Sequence, residues 1–463
     1  MNFVTLAALG IALAGAEGNS WTLCLLVLGV AACVHFLVPQ RQTIPSLDRW
    51  TMFAAAALLA LAALQLAPLP ASLVGVLSPA RVELLRATSP VMHGSREFVT
   101  LSAVPYLSAL QFLNLAGYGL VFIVARELTL RLRDWTHFQN ATWSIAWPLL
   151  VIAGLEAVLG IFQASTGAGE PVSGTYANSD HFAGLLEMVF PFAVLYPAAL
   201  LQRERKRYES PAGPALKACI VLAVAVTIAG GVLYSLSDIG LLAACAGLLI
   251  GVGCALSMRG WSVEYKVAAP WWRQLLPVAI AGGIVLGLVY LPGERVVKRF
   301  SDLAATQEVP AATQAQIWRD TKALIKAYPL FGCGLGGYES CFMRYKSVAP
   351  AVTVDYAHND YLQVLAELGA FGMAAGVLFI GRLLWLAMRG ALYARSIDER
   401  YLAIACAASM MAMLLHSVVD FDMYVPANAM VFAWVAGIAG AYANREQAKT
   451  RTEEHALSAS AGA

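Results

Sequence analysis

The chain has 463 residues, of which 59% are hydrophobic and only 13% are charged, and its net charge is +2. Soluble domains are about 45–50% apolar and about 25% charged, so this composition excludes an ordinary water-soluble protein. It also excludes a disordered chain, because disorder requires low hydrophobicity and high charge. The apolar residues lie in long uninterrupted runs, which predicts an all-α protein that crosses a membrane many times. The small net charge gives no indication of a nucleic-acid partner.

Membrane-spanning helices are expected where about 20 mostly apolar residues follow one another, since the hydrocarbon layer is about 30 Å thick. Twelve stretches are candidates: 3–17, 20–38, 50–68, 105–126, 143–164, 180–201, 215–234, 238–257, 274–292, 362–388, 400–417 and 424–443. The first is short, but it lacks the basic segment and cleavage site of a removable signal peptide, so we interpret it as a span.

The loops between these spans alternate in charge. One set carries clusters of Lys and Arg, whereas the short loops 17–20, 165–180, 235–238 and 418–424 contain neither residue. Short basic loops stay in the cytoplasm. The pattern therefore predicts that both termini are cytoplasmic and that the loops without basic residues face the outer side.

The chain divides into four predicted parts: a membrane bundle of about nine spans (1–292), a large outer loop (293–361), three further spans (362–443) and a flexible cytoplasmic tail (444–463). Within the bundle, an outer segment at 69–104 contains prolines that break it into short helical pieces. A loop of about seventy residues on a helical bundle is usually functional, so chemistry is expected in 293–361.

The large loop contains a stretch with helical spacing from 314 to 327. Its cations Arg319, Lys322 and Lys326 share one side, away from Ile317 and Leu324. This pattern fits either a solvated basic face or a cationic lid over an anionic lipid head group such as a phosphate.

A glycine-rich run follows this helix. Gly332, Gly334 and Gly337 fit the spacing G-x-G-x-x-G, but no strand precedes them, as a dinucleotide-binding fingerprint requires. We interpret the run as a turn that lets the backbone lie close to substrate or to the bundle.

His358 stands at the mouth of the tenth span, just before a helix expected to begin at Asn359 or Asp360. An imidazole can take a proton from a hydroxyl group near neutral pH, which makes His358 a candidate general base. The alternative is a histidine that only lies at the membrane interface. Glu367 is nine residues further on, about half a turn around the helix, so it cannot orient the His358 ring. A carboxylate inside a span is a functional candidate, unless it only bonds to a neighbouring helix.

Two other polar clusters lie at the same predicted membrane boundary. One is the segment 174–184, which includes Asn178 and His181, and the other is 416–422, which includes Asp420. The topology predicts that both converge with His358 on one face, although each could also be an ordinary helix cap or turn.

Eight cysteines are present, without a C-x-x-C pair, so neither a zinc site nor a thioredoxin-like motif is indicated. Only Cys333 and Cys341 share a polar loop. A disulfide between them requires Cα atoms within about 7 Å, and the sequence leaves this open.

At these residues the chain resembles the O-antigen ligase/polymerase family of bacterial envelope enzymes. His358-Asn359, nine residues, Gly369, two residues and Gly372 match the motif near that family's last large outer loop. Supporting matches are Trp318, the run from Tyr328 that contains Gly332, Gly334 and Gly336, Asp420, and the segment 174–184.

The resemblance implies a metal-independent and cofactor-free transfer on the periplasmic face of the bacterial inner membrane. The donor would be a glycan on a membrane-embedded polyprenyl pyrophosphate. The acceptor would be a sugar hydroxyl on lipid A-core, for a ligase, or on a growing glycan, for a polymerase. If the residues of this chain have the roles of their counterparts in the family, His358 is the general base and arginines hold the pyrophosphate. The motif has the ligase form; a lipid-glycan flippase and a structural subunit are alternatives from other classes.

The chain departs from the family where it carries Asp238, Gln314 and Gln316, since relatives often have arginine there. The remaining candidates for substrate binding are the following cations and polar residues: Arg319, Lys322, Arg344, Asn178, His181, Asn359, Tyr361, Glu367 and Asp420.

Overall fold

A computed structural model describes residues 47–92, 97–134, 142–166, 171–202, 212–257, 311–347 and 353–442. In these ranges the chain forms thirteen α-helices: α1 (Arg49–Leu66), α2 (Ala71–Leu77), α3 (Pro79–Met92), α4 (Pro105–Asp134), α5 (Trp147–Thr166), α6 (Ser179–Gln202), α7 (Ala212–Tyr234), α8 (Asp238–Ser257), α9 (Ala311–Ala327), α10 (Tyr338–Phe342), α11 (Asp360–Leu392), α12 (Ile397–His416) and α13 (Pro426–Gly440). Short 3₁₀ turns are formed by Thr142–Ile145 and Asp422–Tyr424.

Seven helices of the described chain are long and apolar enough to cross a membrane: α1, α4, α5, α6, α7, α8 and α11. Nine predicted spans fall within the described residues, and each coincides with a helix. The two that are not among the seven are α12, which has three charged residues directly after Ile397, and α13, which has 15 residues. The predictions for 3–17, 20–38, 274–292 and the tail lie outside the described residues. An all-α multi-pass membrane protein is confirmed, while the count of spans and their orientation stay predictions.

Helix α6 forms the centre of the bundle. In its span, 94% of the residues are buried, and it packs against α7, α8 and α12. In contrast, α5 exposes large apolar side chains such as Leu155 and Phe162, as expected of a helix that faces lipid. The exposed apolar face of α5 is therefore suited to contact with lipid, whereas α6 is enclosed by protein.

The segment 69–104 contains α2 and α3, as its prolines predicted, together with one feature that the all-helical prediction lacked. Two short strands, β1 (Leu69–Pro70) and β2 (Phe98–Val99), pair antiparallel, with Leu69 opposite Val99. Just beyond β2, the amide of Ala103 donates to the carbonyl of Cys333 at 2.8 Å. This contact joins the segment to the large loop.

In the large loop, α9 has the buried and exposed sides that its spacing predicted. Ile317 and Leu324 are buried, whereas Arg319, Lys322 and Lys326 are exposed. The helix ends before Tyr328-Pro329, because proline disfavours the helical conformation in the residue before it.

The glycine-rich run after α9 lies against a kink in α11. At the kink, Gly369 has φ +67°, which frees backbone groups on both sides of it. The run supplies their partners: the amides of Cys333 and Gly334 donate to the carbonyls of Ala366 and Glu367 at 2.9 and 3.1 Å, and the amides at 370 and 371 donate to the carbonyls at 329 and 330. Of the two interpretations of this turn, close approach to the bundle is the one observed.

Candidate active site

The three polar clusters meet at one end of the bundle, as the topology predicted. His358 Nδ1 lies 3.6 Å from Asp420 Oδ1, and His181 Nε2 lies 3.7 Å from Asp420 Oδ2. Both imidazoles also pack edge-on against the ring of Phe421, with centroids at 5.1 and 4.7 Å. Tyr356 stacks on the same ring at 4.1 Å. A single aspartate thus separates two histidines that come from distant parts of the chain.

His358 is held in a conformation that L-residues rarely adopt, with φ +46°. Such strain costs about 1–3 kcal/mol and persists only where the surroundings impose it. Here the neighbouring Ala357 is fixed on both sides: its carbonyl accepts from Trp318 Nε1 at 3.0 Å, and its amide donates to Gln363 Oε1 at 2.8 Å. The signature tryptophan therefore positions the backbone that carries His358.

Gln314 occupies one of the positions where an arginine was expected. Its Nε2 donates to the carbonyl of Val419 at 3.0 Å and approaches the carbonyl of His358 at 3.5 Å. The side chain joins the His358 loop to the Asp420 loop. A neutral amide does this without adding positive charge at the site.

The first turn of α11 is bonded firmly to the end of α12. Asn359 caps α11 through Leu362 N and donates to the carbonyl of Val418 at 2.6 Å. Asp360 accepts from Ser417 and from the amide of Met423, and the Tyr361 hydroxyl donates to the carbonyl of Leu414. Asn359 and Tyr361, both predicted to bind substrate, here make contacts within the protein.

The environment of Asp420 favours a charged carboxylate. Burial raises the pKa of this group, but the imidazole of His358 and the charges of His181 and His416 lower it more, so that it lies below its usual range. A carboxylate beside Nδ1 of His358 stabilises the tautomer that carries a proton on Nδ1. The Nε2 lone pair is then left to accept a proton, and the His358 side chain is 28% exposed.

Next to this site lies a fully buried cluster formed by His416, Glu187 and Asp422, of which the sequence analysis did not identify Glu187. His416 stands between two carboxylates, with Nδ1 2.9 Å from Glu187 Oε2 and Nε2 3.2 Å from Asp422 Oδ2. Asp422 also accepts from Asn428 Nδ2 at 3.0 Å. Glu187 was not among the candidates, although an acidic residue inside an apolar run is a signal that could have found it.

Two overlapping sets of these side chains have ligand atoms within 4.8 Å of one another: His181, Asp420 and Asp422, and Glu187, His416 and Asp422. Imidazole and carboxylate groups are suitable ligands for a divalent cation. A doubly protonated His416 could balance the two flanking carboxylates in place of a cation, because it would direct one N–H toward each of them.

Among the described contacts, Glu367 is bonded to none of these groups, and none joins it to His358. It is buried and accepts from the amides of Gly336 and Tyr338 at 2.8 and 3.2 Å. The side chains of Gln363 and Tyr424 donate to it as well, each at 3.0 Å. Its observed contacts hold the glycine-rich run against α11.

The candidate cations differ in their surroundings. Arg319 and Lys322 are exposed on α9, one and four residues after Trp318, which contacts the His358 loop. Arg344 instead pairs with Glu83 of α3 at 2.7 Å. Gln316, the second glutamine at an expected arginine position, donates to Asp320 and Ser347. Asp238 begins α8, and Asn178 accepts from the amide of Asp180 at the start of α6.

Fold and site together define a multi-pass α-helical membrane protein with a histidine–carboxylate site at one end of its helices. A model of the O-antigen ligase family matches residues 223–377, about a third of the chain, and this range contains the His358 motif. This match supports the family assignment made from the motif, and that family implies an activity of the ligase or polymerase type. His181 and Asp420 lie outside the matched range. No curated protein matches the chain.

Proposed function

We propose that this protein transfers a glycan from a polyprenyl pyrophosphate to a sugar hydroxyl on the periplasmic face of the inner membrane, most simply onto lipid A-core. The observation that carries the proposal is the pair formed by His358 and Asp420, 3.6 Å apart, at the mouth of a span that bears the family motif. A histidine that only capped a helix would not need a strained backbone held by two other side chains.

In the proposed reaction, the acceptor hydroxyl oxygen attacks the anomeric carbon of the donor sugar. The bond from that carbon to the pyrophosphate oxygen breaks, and the lipid pyrophosphate leaves with the electron pair. His358 Nε2 takes the hydroxyl proton, while Asp420 stabilises the imidazolium that forms. Arg319 and Lys322 are proposed to face the departing phosphates, since positive charge there stabilises the leaving group.

The proposal is tested by glycan analysis of a deletion strain complemented with the wild-type gene. Without the protein, a ligase reading predicts long glycan left on its polyprenyl carrier and a bare lipid A-core. Single repeat units on the core would instead identify a polymerase. If neither the glycan length nor its attachment changes on deletion, the proposed transfer is wrong.

Metal dependence is a separate prediction. We expect purified protein to transfer glycan at an unchanged rate after dialysis against a strong chelator, because imidazole, arginine and lysine suffice for the proposed chemistry. The measurement is the initial rate with and without chelator, followed by addition of single divalent cations. A loss of rate that one cation restores would contradict this expectation. The candidate ligands would then be the two sets His181, Asp420 and Asp422, and Glu187, His416 and Asp422.

A further inference from the structure

Two cysteines of the large loop are neighbours in space. Cys333, in the glycine-rich run, is fully buried, and Cys341, in α10, is nearly so. Both side chains pack in one apolar cluster with Leu324, Tyr338 and Phe342. The neighbouring Cys341 thiol and burial together raise the pKa of the Cys333 thiol. Both are free thiols in the structure.

We infer that Cys333 and Cys341 form a disulfide in the mature protein. Eight positions separate them along the chain, and the intervening turn, closed by the amide of Gly337 on the carbonyl of Gly334 at 2.9 Å, folds one back onto the other. The inference rests on the outer orientation of the loop in the proposed function, because disulfides persist in the periplasm and are rare in the cytosol.

The oxidation must occur during folding. Once α10 has packed, Cys333 has no exposed surface, and a protein oxidant cannot approach its sulfur. The reaction is an exchange with the disulfide of a thioredoxin-like oxidant: a thiolate attacks the donor disulfide, the second cysteine displaces the mixed disulfide, and the Sγ–Sγ bond forms. The two cysteines lose two protons and two electrons, and the donor becomes a dithiol.

The disulfide would stabilise the contact between the glycine-rich run and α11. Cys333 donates its amide to Ala366, and Glu367 accepts from Gly336 and Tyr338, so the covalent loop encloses residues that fix the helix carrying the motif. We expect it to act on stability and not on the chemical step, because neither sulfur contacts His358 among the described contacts.

The test uses the full-length protein from membranes, extracted without reductant into denaturant with N-ethylmaleimide. Reduction and iodoacetamide labelling follow, and the peptides are read by mass spectrometry. We expect Cys333 and Cys341 to carry the second label, and Cys219, Cys245, Cys254 and Cys406 to carry the first. Cys406 is the matched control, because it is also fully buried but has no cysteine neighbour among the described residues.

Two results would overturn the inference: N-ethylmaleimide on both Cys333 and Cys341 of the wild-type protein, or a labelling pattern at Cys341 that does not change in C333S. If both thiols are free while glycan transfer is retained, the disulfide is wrong and the proposed function stands. If the disulfide is present while glycan attachment is unaffected by deletion, the disulfide stands and the proposed function is wrong. A melting temperature that falls on reduction of the wild-type protein but does not change on reduction of the C333S/C341S variant would establish its stabilising role.

Discussion

Replacing His358 by asparagine is expected to reduce the rate of glycan transfer by roughly 10²- to 10⁴-fold, the usual contribution of a general base. The His358 imidazole can accept a hydroxyl proton at Nε2 while its Nδ1 stays beside the Asp420 carboxylate, at 3.6 Å. An amide cannot be protonated at neutral pH. We therefore expect the loss in kcat, with little change in the KM for the lipid-linked donor.

Asparagine tests the loss of the imidazole better than alanine does, because of the backbone conformation at position 358. With φ +46°, position 358 is in the left-handed region, where asparagine is tolerated better than most other residues with a side chain. H358A would add strain to the loss of the imidazole, and a fall in activity could then come from misfolding. H358N should keep the wild-type melting temperature, and H358G should keep or raise it.

A second variant controls for the position of the loop. W318F removes the indole N–H that donates to Ala357 but leaves His358 in place. We expect H358N to be inactive with a wild-type melting temperature, whereas W318F should be partly active and less stable. Transfer by H358N at the wild-type rate would rule out the base assignment.

Much of this site could be predicted from the sequence because it follows from local pattern. The cap at Asn359, the exposed cations of α9 and the break at Tyr328-Pro329 each depend on residues a few positions apart. The meeting of His181, His358 and Asp420 followed from topology, since all three lie at span ends on one predicted side.

What could not be predicted depends on side-chain partners far apart in sequence. Glu187 and His416 are 229 positions apart, and only the packing of α6 on α12 brings them within 2.9 Å. The sequence indicated Gln314 only as a position without the expected arginine. Its contacts with the His358 and Asp420 loops depend on how α9 packs against them. Glu367 is another example, since its amide donors lie in a loop 29 to 31 residues earlier.

The second large effect is expected at the kink of α11. Replacing Gly369 by alanine should destabilise the protein by roughly 3 kcal/mol or more. Its backbone, with φ +67° and ψ −167°, lies in a region that essentially only glycine occupies, so alanine there costs about 1–3 kcal/mol. The weakening of adjacent hydrogen bonds, worth about 1 kcal/mol each, adds to this. An added Cβ would overlap the backbone of Leu330 and Gly332, which cannot withdraw without breaking the contacts at 370 and 371. The glycine is therefore required by the crossing of two backbones.

Gly376, on the same helix seven positions later, provides a matched control. A Cβ there meets no atom within 4 Å, and G376A should be neutral or more stable by up to about 1 kcal/mol. The measurement is hydrogen exchange at the amides of Cys333 and Gly334, together with thermal unfolding in detergent. Faster exchange at both amides is expected in G369A alone. Equal exchange in the two variants would mean that the glycine-rich run does not depend on the kink, and the motif glycine at 369 would then have to act through substrate and not through the fold.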